Sequence, residues 1–443
     1  MMARSVQRTS GLGLWSGIGL VASSMIGVGV LVSAGWASSV LGPGEILLAW
    51  LVGGVVAMAG ARAYAGLAEI IPRSGGEYRF LSDLLHPAVG YMAGWTSLVL
   101  GFSAPVAFSA AMADSYAATF TTLPGHTVGI AIIAFTTALA VYSTRASQRT
   151  QDVLAFAKIA LLSGFILVGL LYGAKSWPTW QPEKVHTTFP LGDFLGQLLW
   201  VAVAYSGWNT AVYAAEEFRE PRRTVPRAMV LGTLMVMALY LVINWVFVAN
   251  LTQAELTSWR GAGGDQSRIT LGHLIVRHLV GPVGATVMSA FVVLSMISST
   301  SAMTVAGPRV YAAMARDGFL PRPFVGEPGR PPVWSTLLQG ALALVLLLTH
   351  SFDLLVENVG AVLTFSTGLT ALALLRARFR PPPGLATEPL GDVAVGSAIV
   401  YFCASAYTLW AAAEARPMRL LWIGLVVAGS GLAYGITRLL RRA

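Results

Sequence analysis

This sequence is short of cysteine and of charge, and each shortage removes whole classes of protein. Cys403 is the only cysteine, so no disulfide can close within the chain and no zinc or haem motif built on cysteine pairs is present. Lys, Arg, Asp and Glu make up 11% of 443 residues, against about 25% in soluble domains. A water-facing surface cannot be covered with so few charges. The pattern G-x-x-x-x-G-K-[ST] is missing, which leaves no engine for ATP-driven work. Neither H-E-x-x-H nor G-x-S-x-G occurs, and no pair of carboxylates falls inside an apolar run. An intramembrane enzyme therefore has no visible chemistry, and no cofactor is implied.

What is present is apolar residue in long series. No charge interrupts the stretches between Arg8 and Glu45, Asp193 and Glu216, Arg227 and Glu255, Arg277 and Arg309, Arg330 and Asp353, Asp392 and Glu414, or Arg419 and Arg438. About 20 such residues cross a bilayer as a helix. One run fits a buried core helix, but no soluble core has room for many. Barrel strands would alternate apolar and polar over about 10 residues, and these runs are continuous. The reading is an all-α polytopic membrane protein with about twelve spans, at 13–35, 44–68, 88–116, 126–143, 150–173, 190–214, 227–250, 283–307, 333–349, 354–375, 391–412 and 419–438. The first span is too long and too glycine-rich for a cleavable signal and is expected to persist.

The formal net charge of +9 does not point to nucleic acid. With the N-terminus inside, all Lys and Arg fall on the cytoplasmic side except Lys175, Lys184, Arg260, Arg268, Arg277, Arg416, Arg419 and the intramembrane Lys158. That bias obeys the positive-inside rule and puts both termini in the cytoplasm. The expected home is a plasma membrane, the inner membrane of a bacterium, with the lipid bilayer as the main partner.

Loops are short, so the chain is read as one membrane domain, residues 1–443. Pro381-Pro382-Pro383-Gly384 separates the last two spans from the first ten. The expected organisation is a five-helix repeat over 1–175, an inverted second repeat over 188–378, and two further helices over 388–443. Inverted repeats place a substrate at broken helices near the bilayer midplane, so the first and sixth spans are where breaks are expected. The first holds Ser23-Ser24-Met25-Ile26-Gly27-Val28-Gly29 at its middle. Glycine costs about 1 kcal/mol in a helix interior, and a break there would free N–H groups that suit a carboxylate and carbonyls that suit an ammonium. Alone, these glycines are better explained as a small-residue packing face between helices. The sixth span holds Tyr205-Ser206-Gly207-Trp208-Asn209, with aromatics where the bilayer centre favours Leu or Val. Two interruptions at matching places support each other.

Four segments, in order, resemble the amino acid–polyamine–organocation superfamily of permeases. They are Ser24 to Val30; Ile71-Pro72-Arg73-Ser74-Gly75-Gly76-Glu77-Tyr78 with Gly94-Trp95; Tyr205 to Asn209 running on to Glu216-Glu217, Pro221-Arg222-Arg223 and Pro226-Arg227-Ala228; and Arg309-Val310-Tyr311 with Ala315 to Pro321. The likeness extends from the first span to the tenth, and the Gly-Trp-Asn of the sixth is most similar to the L-type neutral amino acid branch. It implies a transporter of amino acids, neutral ones by preference, working by exchange or proton symport. By family pattern the substrate would lie against Ser24, Met25, Ile26, Gly27, Val28 and Gly29 of the first span, and Val203, Ala204, Tyr205, Ser206, Gly207 and Trp208 of the sixth. Its carboxylate would meet N–H groups of Val28 and Gly29, its ammonium the carbonyls of Met25 and of Val203 to Ser206, and Trp208 would shape the side-chain pocket. Where the family often has Ser after the first glycine, this chain has Val28, so a backbone contact survives and a hydroxyl contact does not. The branch's animal exchangers join a partner chain through an external cysteine. None stands there here, so no disulfide-linked partner is expected.

Lys158 is the one cation inside a span. Such a charge costs roughly 2.5–3.5 kcal/mol at the bilayer centre, although a lysine two turns from the interface can also snorkel. In relatives a fifth-span lysine stands where sodium-coupled cousins hold sodium. The resemblance therefore implies that Lys158 replaces a coupling cation, bridging first-span carbonyls to the hydroxyls of Ser298 and Ser299, as a fixed charge or as a titrating one. Glu216-Glu217 with Arg222-Arg223 reads as a cytoplasmic ion-pair cluster, and Pro105 as a kink in the third span. Two rival functions remain: a polyamine or cationic amino acid carrier, whose pocket should show mid-membrane carboxylates, and a transporter-shaped nutrient sensor, which should carry a longer tail.

Overall fold

The computed structural model describes residues 11–27, 29–30, 37–261, 271–327, 331–349, 352–382, 390–415 and 418–440. In chain order its helices are α1 (Leu14–Met25), α2 (Pro43–Ile70), α3 (Gly76–Leu84), α4 (Pro87–Ala117), α5 (Thr127–Tyr142), α6 (Thr144–Tyr172), α7 (Leu191–Ala204), α8 (Thr210–Tyr213), α9 (Pro221–Ala249), α10 (Gln253–Gly261), α11 (Leu271–Arg316), α12 (Val333–Thr349), α13 (Phe352–Phe379), α14 (Asp392–Ala415) and α15 (Met418–Leu440). Among the described residues the only β-contact is an isolated bridge between Leu12 and Phe218. Among the described residues six helices are long and apolar enough to cross a membrane, and four shorter apolar ones accompany them. Phe135, Phe156, Leu167, Val283 and Leu432 stand exposed on their outer faces. Water would not tolerate such a belt, whereas lipid satisfies it.

Local chemistry explains where the helices begin and bend. Pro43, Pro87 and Pro221 open α2, α4 and α9, the position where a missing N–H costs nothing. The Ser143 hydroxyl accepts from Ala146 N–H at 3.2 Å and caps α6. Inside α4, Ser97–Ser103 forms a π-turn. Pro105 offers no N–H there, Ala104 N–H bonds the Val99 carbonyl five residues back, and the Ser103 hydroxyl bonds the Leu98 carbonyl at 2.8 Å. The kink expected at Pro105 is thus a widened turn just before it. Helix α11 begins at Leu271 and bends at Gly281 (φ 84°).

Helix α1 lies at the centre, packed by α9, α6 and α11, and α2 packs against α9 and α14. Helix α14 lies on α13 and α2, and α15 on α4. The two C-terminal helices therefore lean on the outside of the bundle, yet α14 reaches α2, which packs on α9 beside α1.

Candidate functional site

Both broken helices break where the interruptions fall. α1 ends at Met25; Ile26 is extended (φ −71°, ψ 92°), Gly27 bends, and Gly29 and Val30 are helical again. Val28 lies outside the described residues. α7 ends at Ala204, Tyr205 to Asn209 form turns, and α8 resumes at Thr210.

The two breaks meet face to face, and two glycines permit it. A β-carbon on Gly29 would stand 2.8 Å from the Ala204 Cα. Gly207 adopts φ +106°, and a β-carbon there would stand 2.8 Å from the Ser24 carbonyl carbon. Gly27 differs, with nothing nearer to such a carbon than the Met25 oxygen at 3.9 Å. Gly27, Gly29, Val203 and Gly207 are partly accessible and Ser206 is exposed, whereas Ser24, Met25, Ile26, Ala204 and Tyr205 are buried.

The freed carbonyls are largely taken up by side chains. The Tyr240 hydroxyl of α9 lies 2.7 Å from the Met25 oxygen and 3.2 Å from the Ala204 oxygen, the last carbonyls of the two broken helices. Its ring packs with Trp50 and Tyr205 at centroid distances of 5.2 and 5.0 Å, and the Tyr205 hydroxyl donates to the Trp50 carbonyl at 3.1 Å. Sequence reasoning passed over Tyr240. Its signal was a tyrosine at mid-span, where a buried hydroxyl must find a partner.

Lys158 is fully buried. Its ammonium donates to the Ser23 carbonyl at 3.0 Å, to the Ile26 carbonyl, and to the Ser299 hydroxyl at 2.9 Å. The Ser299 hydroxyl also lies 3.1 Å from the Ser23 oxygen. Ser298 contributes differently, bonding the Ser23 hydroxyl at 3.2 Å. Among the described residues no Asp or Glu pairs with Lys158; its partners are two backbone carbonyls and one hydroxyl. The Ser24 hydroxyl bonds Leu20 in its own helix at 2.9 Å.

Trp208 is buried on the side of α2 and α14, edge-on to Tyr64 at 4.8 Å and Tyr401 at 5.3 Å. A β-carbon on Gly60 would stand 2.6 Å from its ring. One end of the bundle is tied by ions: Arg309 to Glu217, Arg316 to Glu216 at 3.0 Å, and Arg79 to Asp317 at 2.9 Å. The expected partners Arg222 and Arg223 do not join Glu216 and Glu217; Arg223 stands 3.8 Å from Glu220 on the surface. Beside the ties, Asp83 has its carboxyl pushed above the usual range by burial, against the pull of Arg73 and Arg79.

The model of the family described as amino acid permease matches residues 12–431. The chain is 26% identical over 440 residues to the large neutral amino acids transporter small subunit 2 of Mus musculus, covering 96% of this chain and 79% of that protein. It is 25% identical to the b(0,+)-type amino acid transporter 1 of the same animal, over 83% of this chain and 76% of that one. The serine/threonine exchanger SteT of Bacillus subtilis (strain 168) is 26% identical over 78% of each chain.

Proposed function

From the premise that the chain belongs to the amino acid permease family, we propose that it carries neutral amino acids across a bacterial inner membrane by alternating access. Amino acid transport by exchange or symport is the function of the protein, and it is a multi-pass helical membrane protein. The finer reading has twelve spans in a five-plus-five inverted repeat over 1–175 and 188–378, followed by two helices over 388–443, with both ends of the chain in the cytoplasm.

The observation that carries the site is the meeting of the two breaks, Gly29 on Ala204 and Gly207 on Ser24. In this reading the substrate carboxylate lies at the N–H groups of Val28 and Gly29. Helix N-termini favour such a charge. The ammonium lies by carbonyls of the Val203–Ser206 stretch, with Met25 sharing its oxygen with Tyr240. Lys158 supplies the positive charge that a coupling cation would supply, with Ser299 beside it and Ser298 one bond further out. Trp208 bounds the site from behind rather than closing over it. The mouse relative is named as a small subunit; with Cys403 alone in α14, this chain is read as working without a disulfide-linked partner.

The test is uptake of labelled neutral amino acids into liposomes holding the purified protein, either empty or preloaded with the same amino acid. Uptake that needs preloading marks an exchanger. Uptake into empty vesicles marks net transport, and an imposed pH gradient then tests proton symport. Silence toward neutral amino acids together with uptake of cationic ones would overturn the neutral reading.

A further inference from the structure

Glu77 is buried to 2% exposure at the first turn of α3, outside the set of residues assigned to the substrate or to Lys158. Two glycines with positive φ, Gly75 at 127° and Gly76 at 53°, turn the chain inward just before it. A β-carbon on Gly76 would stand 2.2 Å from the Tyr213 ring, so this turn is seated directly on α8.

The carboxylate oxygen Oε1 receives the Asn209 Nδ2–H at 2.8 Å and the Tyr64 hydroxyl at 3.0 Å. The same Asn209 nitrogen lies 2.8 Å from the Tyr213 hydroxyl. Oε2 is buried with no hydrogen-bond partner, and among the described residues no Lys or Arg pairs with Glu77. A carboxylate buried without a cation is costly, and this one is held by Asn209, which follows the stretch assigned to the substrate, and by Tyr64 of α2.

The chemistry of the bonds sets a direction. Oε1 acts here as an acceptor, so Asn209 turns its NH2 toward Glu77 and the bond fixes which way the amide stands. Tyr64, which donates to Oε1, is also the ring against which Trp208 packs edge-on at 4.8 Å. One carboxylate thus restrains Asn209 directly and Trp208 through Tyr64, the two residues that end the non-helical stretch after α7.

We propose that Glu77 is a positioning residue of the amino acid site, acting through Asn209 and Tyr64 to set the conformation of the stretch Tyr205 to Asn209. The inference rests on the reading that this stretch holds the substrate.

Four proteins in liposomes test it, each measured for KM, maximal rate and melting temperature: wild type, Glu77→Leu, Asn209→Asp, and Glu77→Gln with Asn209→Asp. Glu77→Leu removes the acceptor and should raise KM about tenfold or more, beyond any fall in maximal rate that lost protein explains. Asn209→Asp sets two carboxylates face to face and should do the same. The double variant reverses donor and acceptor, since the introduced glutamine amide can donate to the introduced aspartate, and should bring KM back to within about threefold of wild type. Where Glu77→Leu does not fold, the comparison of Asn209→Asp with the double variant still decides. An unchanged KM in Glu77→Leu, with only the amount of folded protein reduced, or a double variant no better than Asn209→Asp, overturns the proposal. Wild-type vesicles that take up no amino acid would overturn the site reading first and this inference with it.

Discussion

The Tyr240 hydroxyl stands 2.7 Å from the Met25 carbonyl oxygen, with the Ala204 oxygen 3.2 Å away. A single side chain from α9 therefore serves the ends of both broken helices. A helix that stops inside a bilayer leaves carbonyls without water to bond them. Here the first break is served from three sides: Tyr240 takes Met25, while Lys158 and Ser299 take Ser23 and Ile26.

Tyr240→Phe removes one hydroxyl and leaves the ring cluster with Trp50 and Tyr205 in place. The Met25 carbonyl is then buried without its partner, which costs about 1–3 kcal/mol. The expected outcome is a lower melting temperature in detergent together with weaker substrate binding. Unchanged melting and KM would mean that water or a rearranged backbone replaces the hydroxyl.

Lys158→Ala should cost more, because hydrogen bonds to a charged group are worth about 1.5–3 kcal/mol each and this ammonium makes three. Uptake is expected to fall at least about tenfold. A Lys158→Ala protein that transports with the rate and pH profile of wild type would sink both the fixed-charge and the titrating reading of this lysine. A variant that keeps exchange but loses its response to an imposed pH gradient would select the titrating one.

The three glycines of the facing breaks should separate by role. Gly207→Ala forces a side chain to φ +106°, at about 1–3 kcal/mol, and into the Ser24 backbone. Gly29→Ala drives a methyl group into Ala204, an overpacking that costs typically about 1–3 kcal/mol. Both are expected to reduce the folded protein recovered from membranes. Gly27→Ala meets nothing nearer than the Met25 oxygen at 3.9 Å, an ordinary contact, so it should fold normally and change KM alone. Gly164→Ala, on the exposed face of α6 with nothing within 4 Å, is the control and should change neither. A Gly27→Ala protein with wild-type KM would place the substrate elsewhere.

These glycines also show what a sequence can reveal about such a site. The breaks were legible because Gly, Ser and aromatics stand where lipid selects large aliphatics, and Lys158 because a lone charge does. Helix ends were legible to within a few residues where charge resumes at the interface, as at Pro43–Ile70 against an expected 44–68. They were not legible at α11, where the helix runs on past the apolar stretch to Arg316. Nor could the pattern say which of two glycines touches Ala204, since that depends on the rotation of α7 against α1. Partners across the fold were hidden for the same reason. Glu217 lay five and six residues from Arg222 and Arg223 in the chain, yet it meets Arg309 of α11; Glu77 sat in a recognisable motif, yet its bonds to Asn209 and Tyr64 appear only in three dimensions.

The Glu217–Arg309 pair supplies the last prediction. Their side chains are 26% and 11% exposed, and Gln148 donates to the second oxygen of Glu217 at 3.0 Å. The Ser74 hydroxyl accepts the neighbouring Glu216 N–H at 3.0 Å, and the Glu217 carbonyl accepts from Leu12 N–H at 2.8 Å. These contacts tie α11, the turn before α3, the segment after α8 and the residues before α1 into one closure, at the cytoplasmic end in the proposed topology. If that closure opens during transport, weakening it shifts the population toward the open form, tenfold for each 1.4 kcal/mol or so. In a Cys403→Ser background, a cysteine at Ser74 should react with a polar thiol reagent from the cytoplasmic face several-fold faster when Arg309→Gln is added. Glu217→Arg combined with Arg309→Glu restores opposite charges and should return the rate toward that of the parent. A reaction rate indifferent to both changes would mean that the pair holds the fold but is not part of a gate.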